Sequence, residues 1–234
     1  MTSSAGAGTP NNRQLHKFGG SSLADARCYQ RVASIMADYS QPGDMMVVSA
    51  AGSTTNQLIS WLKLSQSDRL SAHQVQQTLR RYQSELISAL LPAEIAEPLI
   101  TAFIRDLEKL AALLDGDVTE AVYAEVVGHG EIWSARLMSA VLNQQDLHAC
   151  WLDARDFLRA ERAAQPQVDE GKSWPLLQTL LAQHPHKRIV VTGFICGNDA
   201  GETVLLGRNG SDYSATQIGA LAGVGRVTIW SDVA

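Results

Sequence analysis

Cysteine is scarce in this chain, and its placement excludes two classes of protein. Cys28, Cys150 and Cys196 are odd in number and far apart, so they form neither a disulfide framework nor the close pairs of a metal motif. A reducing cytoplasm suits such a chain. Positive charge is also short, with 19 Lys and Arg against 24 Asp and Glu, a net charge of −5 and a pI near 5.6. Proteins that grip nucleic acid usually present a basic face, so no nucleic-acid partner is expected; a small anion needs only a local positive site. No run approaches the ~18 apolar residues of a membrane helix, so no membrane partner is expected either. Residues 1–13 are small and polar, without the apolar stretch of a signal peptide, and read as a disordered tail. The glycine-x4-glycine-lysine-Ser/Thr order of the common phosphate loop is missing, and so is the glycine-x-glycine-x2-glycine dinucleotide fingerprint.

What is present supports one α/β domain over residues 14–234. A hydrophobic content of 45% in 234 residues is enough for a sizeable core. Lys17-Phe18-Gly19-Gly20-Ser21-Ser22 lies between a short strand and a pattern, Cys28, Val32, Ile35 and Met36, at helical spacing. Gly19 and Gly20 let backbone approach a ligand, Ser21 and Ser22 add hydroxyls at a helix start, and Lys17 is placed to hold a phosphate as a point charge. An ordinary strand-to-helix turn with an exposed lysine fits the same six residues. Met45-Met46-Val47-Val48 reads as a buried parallel strand and runs into Ser49-Ala50-Ala51-Gly52-Ser53-Thr54-Thr55-Asn56, the same layout again. Ser49 and Thr55 suit ligand binding or helix capping equally. Two such loops after parallel strands face one sheet edge, where ligands of open α/β folds bind.

Residues 71–115 read as two amphipathic helices joined near Leu91-Pro92-Ala93-Glu94, with Arg80, Arg81, Glu85, Arg105, Asp106, Glu108 and Lys109 in solvent. A helix over 121–142 carries Gly128-His129-Gly130-Glu131. Interior glycines cost roughly 1 kcal/mol each, which close approach by a ligand or a neighbouring element would justify; Glu131 is the candidate cation partner and His129 a structural residue. A strand at 149–153, a mobile polar loop at 159–172 and a helix at 174–183 follow. Residues 187–195 read as the clearest buried strand, followed by a hairpin turn at 197–202. Gly207-Arg208-Asn209-Gly210-Ser211-Asp212 is a third loop of the same kind: Arg208 offers a fork for a carboxylate, Gly210 and Ser211 bring N–H groups to a helix start, and Asp212 suits a cap. Arg226-Val227-Thr228-Ile229-Trp230 is a last strand, ending in Ser231 and Asp232. A chain that stops two residues beyond is expected to be the N-terminal piece of a longer polypeptide.

Taken together, the motifs at 17–22, 49–56, 128–131, 207–212 and 230–233 resemble, in order and spacing, those of aspartate kinases in the amino-acid kinase superfamily. The intervening text is most similar to the kinase part of the methionine-associated bifunctional aspartokinase/homoserine dehydrogenases. The resemblance implies a three-layer α/β/α sandwich on a mainly parallel sheet, C-terminally truncated, that phosphorylates the β-carboxylate of L-aspartate with ATP and with Mg²⁺ carried on ATP. It implies Lys17 and Asp212 as catalytic residues, with Asp212 orienting Lys17, and Ser49, Thr55, Glu131, Arg208 and Ser211 as substrate ligands. Gly19, Gly20, Ser21, Gly210, Ser231 and Asp232 would face the phosphates or nucleotide, and no side-chain metal site is implied. A cytoplasmic homo-oligomer is the expected setting. Relatives of this kind continue with a second phosphate-facing lysine, regulatory domains and, in bifunctional forms, a dehydrogenase, none of which is in this sequence. Their absence leaves open whether this chain turns over alone, so a non-catalytic aspartate-binding or assembly module is the alternative to the kinase; a kinase of another carboxylate such as glutamate is the third.

Overall fold

The computed structural model describes residues 13–231. The chain runs β1 (Gln14–Phe18), α1 (Ala26–Tyr39), β2 (Met45–Val48), α2 (Thr54–Ser65), α3 (Arg69–Leu90), α4 (Ala93–Leu114) and α5 (Glu120–Gln144). After these come β3 (Ala149–Leu152), α6 (Glu170–Gln183), β4 (Arg188–Thr192), β5 (Ile195–Gly197), β6 (Thr203–Leu205), α7 (Gly210–Ala222) and β7 (Arg226–Trp230). Five strands form one parallel sheet in the order β3-β4-β2-β1-β7. In its register Lys17 lies between Val47 of β2 and Ile229 of β7.

Strand side chains alternate between faces, and that period makes the three layers. Phe18, Met46, Val48 and Val190 point to a core closed by α1, α5 and the adjoining ends of α3 and α4. Leu15, Met45, Val47, Ile189 and Val191 point to a core closed by α6, α7 and the β5–β6 hairpin. Trp61, Leu79, Phe103, Leu110 and Trp133 fill a third cluster among α2, α3, α4 and α5, so the long helices form a packed helical layer. Because all five strands run the same way, the loops after β1, β2 and β4 emerge at one rim. The expected sandwich on a mainly parallel sheet is the observed fold.

Four expectations need correction. The apolar run at 187–195 is two strands: β4 ends at Thr192, Phe194 adopts a left-handed φ of 64°, and β5 pairs antiparallel with β6 in a separate hairpin. The third loop therefore leaves the hairpin, not the parallel sheet. Helix α6 opens at Glu170, capped by the Asp169 carboxylate, which accepts from Lys172 N–H. The polar loop before it is tied down, since Arg159 N–H bonds Ser173 Oγ, Val168 N–H bonds Tyr213 Oη and Arg162 pairs with Glu202. Asp106 is buried, not solvated, and accepts from Trp133 Nε1 and Arg136. Asp232 and tail residues 1–12 lie outside the described residues.

Candidate active site

The three loops and one turn of α5 enclose a cavity of about 310 Å³. Lys17 enters it from the end of β1, where its Nζ meets Asp212 Oδ1 of α7 at 2.6 Å. The lysine side chain is 12% exposed and the aspartate 41%. A Cβ on Gly19 would sit 3.6 Å from that Nζ, so the ammonium lies against open backbone. Gly20 is needed for a different reason: a Cβ there would come within 2.8 Å of Ala50 O. Gly52 N–H donates to Gly20 O at 2.9 Å and Ser49 N–H to Phe18 O at 3.1 Å, locking the first two loops together.

Glu131 faces the same cavity from the middle of α5. The helix can come this close because Gly130 has no side chain: a Cβ would lie 2.8 Å from Ala50 Cβ and 3.1 Å from Thr54 Cγ2. Gly128 plays the same part toward the hairpin, with Ile195 Cγ2 at 2.8 Å from its would-be Cβ. Neighbouring protein, not ligand, accounts for both glycines. Glu131 is 3% exposed, and its Oε2 has no hydrogen-bond partner. Burial pushes its carboxyl up to about 8, while the Ala50 N–H bond and the Lys17 charge pull the other way. His129 stays out of the chemistry: its Nδ1 bonds Glu125 O at 2.8 Å within the helix.

Ser49, Thr55, Ser211 and Gly210 also line the cavity. Gly210 N–H, however, already donates to Gly207 O at 3.0 Å, so that amide is not free for a phosphate as the sequence suggested. Ser21 is exposed in the short turn Ser21–Leu23 and does not line the cavity, nor does the exposed Ser231 at the end of β7. Arg208 is the largest departure. It lines an adjoining cavity of about 570 Å³ with Gln165, Pro166 and Tyr213, and the two cavities share Gly207, Asn209 and Asp212. Sequence reasoning missed Phe194 and Asn209, which both line the Lys17 cavity. Both have positive φ, 64° and 57°. Asparagine enters that region readily and carried a signal; a phenylalanine there has none.

The model of the amino acid kinase family matches residues 12–234. This chain belongs to that family. It is 83% identical over 222 residues to bifunctional aspartokinase/homoserine dehydrogenase 2 of Escherichia coli (strain K12), across 95% of this chain and 27% of that protein. Lysine-sensitive aspartokinase 3 of the same organism is 29% identical over 222 residues, 94% of this chain and 49% of its own. Among solved structures, E. coli aspartokinase III in complex with aspartate and ADP matches with a TM-score of 0.84 at 28% identity, covering 94% of this chain and 49% of that one. The chain thus spans between 27% and 49% of these relatives' lengths. No helix among the described residues is long and apolar enough to cross a membrane.

Proposed function

We propose that this cavity binds L-aspartate and that the chain transfers the terminal phosphoryl group of ATP to the substrate's β-carboxylate, giving 4-phospho-L-aspartate and ADP. One observation carries the reading: the buried, partnerless Oε2 of Glu131 shares a cavity with the Lys17–Asp212 pair. A buried carboxylate oxygen without a partner calls for a cation, and an ammonium against open glycine backbone calls for a phosphate. An amino acid that accepts a phosphoryl group meets both demands. The similarity to aspartokinases, one of them solved with aspartate and ADP, supports that choice of substrate.

In this reading Glu131 receives the substrate α-ammonium, and Ser49, Thr55 and Ser211 supply hydroxyls to its carboxylates. Arg208 reaches the α-carboxylate by swinging across Gly207 and Asn209, which border both cavities. The β-carboxylate, with an ordinary pKa of about 3.9, is already ionised at neutral pH and needs no general base. Its oxygen bonds to the γ-phosphorus as the bond to the bridging oxygen breaks, and that electron pair leaves with ADP. Lys17, held by Asp212, and the Gly19 and Gly20 amides neutralise charge on the phosphoryl oxygens. Mg²⁺ carried on the nucleotide would supply further positive charge to the phosphoryl oxygens. The unpaired thiols of Cys28, Cys150 and Cys196 support a reducing, cytoplasmic setting.

Incubating the chain with ATP, Mg²⁺, hydroxylamine and aspartate tests this directly. Aspartyl hydroxamate is expected, with far less product from glutamate. Calorimetric aspartate binding without hydroxamate would reassign the chain as a binding module, and absence of both would overturn the reading.

A further inference from the structure

Helix α3 reaches the cavity without lining it. Gln83, 2% exposed, donates from Nε2 to Thr54 Oγ1 at 2.9 Å. Thr54 Oγ1 donates onward to Ala51 O at 2.6 Å, and Thr54 N–H bonds the same oxygen at 3.0 Å. The neighbouring Tyr82 Oη donates to Ala24 O at 2.9 Å, and a Cβ on Gly52 would lie 3.0 Å from that hydroxyl. Two adjacent residues of α3 therefore touch both ligand loops, the first through Ala24 and the second through Thr54. The second loop carries Ser49, Ala50, Gly52 and Thr55 into the cavity, and the Ala50 N–H bonds Glu131.

A primary amide buried in a helical layer costs free energy unless it is bonded, and a leucine of similar size would fill the site without that cost. The amide does something a leucine cannot: it bonds the hydroxyl that closes the 51–54 turn. We propose that Gln83 is a positioning residue, which through Thr54 holds residues 49–55 at the spacing where Ser49, Thr55 and Glu131 meet a single amino-acid substrate. The substrate clause rests on the reading given under Proposed function; the hold on the loop does not. Residues 71–115, which the sequence presents as plain amphipathic helices, thereby enter the architecture of the site.

The test uses Gln83→Leu, Thr54→Val, their double variant and Thr54→Ser in the whole chain, read by calorimetric aspartate affinity and by amide hydrogen exchange over residues 49–55. Gln83→Leu should weaken aspartate binding about tenfold, the worth of one buried hydrogen bond, and Thr54→Val, which also loses the bond to Ala51 O, by at least as much. The double variant should bind about as Thr54→Val alone does, because the Gln83 bond is already absent there, and Thr54→Ser, which keeps the hydroxyl, should bind within about twofold of the parent. Gln178→Leu removes a comparable bond, from Nε2 to Leu221 O at 2.9 Å, on the other face; it should lower Tm and leave affinity unchanged. Exchange at 49–55 should quicken in Gln83→Leu with no ligand present. Unchanged exchange, or a double variant whose loss is the product of the two single losses, overturns the proposal. Faster exchange in a chain that fails to bind aspartate upholds the positioning role and sinks the substrate reading alone.

Discussion

Lys17 and Asp212 meet at 2.6 Å although one is the penultimate residue of the first strand and the other sits in the first turn of the last helix. The lysine is largely covered and the aspartate opens to solvent, so the pair aims an ammonium into the cavity instead of burying a neutral contact. The consequence is a split between chemistry and binding. Lys17→Ala should lower the rate of aspartyl hydroxamate formation by roughly 10²–10³, as for a lost transition-state contact, and change aspartate affinity less than about threefold. Steady-state kinetics with aspartate varied separates the two; a change confined to KM would remove Lys17 from the phosphoryl side.

Glu131 sets a pH dependence. Its carboxyl is raised to about 8 chiefly by burial, against the Ala50 N–H bond and the Lys17 charge, with the Tyr29 hydroxyl as the other titratable neighbour. An acid raised on folding binds extra proton in the folded chain. Its contribution to stability is therefore whole below the unfolded value of about 4.5 and is lost as pH rises through about 8. An ammonium ligand needs the ionised form, so each aspartate bound at pH 7 should release up to one proton. Calorimetry in buffers of different ionisation enthalpy measures that release, and affinity should climb by up to tenfold per unit toward about pH 8 and then level. Glu131→Gln should abolish the release and weaken binding ten- to a hundredfold, roughly the value of a charged hydrogen bond.

Gly130→Ala tests the close approach of α5 to the second loop. The added methyl would lie 2.8 Å from Ala50 Cβ and 3.1 Å from Thr54 Cγ2. Overpacking of that kind costs about 1–3 kcal/mol, partly offset by the ~1 kcal/mol that alanine gains over glycine in a helix. Thermal unfolding should show a small loss of stability, and aspartate binding a larger one, because the displaced residues carry the site. A variant as tight-binding as the parent would contradict this packing account.

Asp106→Ala tests the buried pair in the helical layer. Asp106 accepts from both Trp133 Nε1 and Arg136, and the Arg136 guanidinium also lies 5.0 Å from the Trp151 ring centroid. Removing the acid leaves a half-buried cation without its partner, at a cost of about 2–4 kcal/mol. A urea midpoint close to the parent's would show that the pair contributes nothing.

Much of this site was legible because it is local. Glycines beside a lysine, hydroxyls after an apolar run and a Gly-x-Gly-Glu run inside a helix mark backbone that something approaches closely, and each mark sits within a few residues of its cause. The continuous apolar runs at 45–48 and 189–191 likewise announced strands buried on both faces. Other features had no local mark. Gln83 is an ordinary polar residue of an amphipathic helix until Thr54 is placed beneath it, and Asp106 is an ordinary charge until Trp133 and Arg136 face it.

Residue order thus determined the family, the parallel sheet and which loops end at its ligand edge, since strand direction and turn chemistry are set by near neighbours. Which side chains share the cavity was decided by tertiary packing. Lys17 and Glu131 meet there because α5 presses on Ala50 and Thr54; Arg208 turns to the next cavity because its loop leaves the β5–β6 hairpin and follows the left-handed residues Gly207 and Asn209. Those outcomes depend on contacts between segments far apart in the chain, where no short stretch of sequence holds both partners.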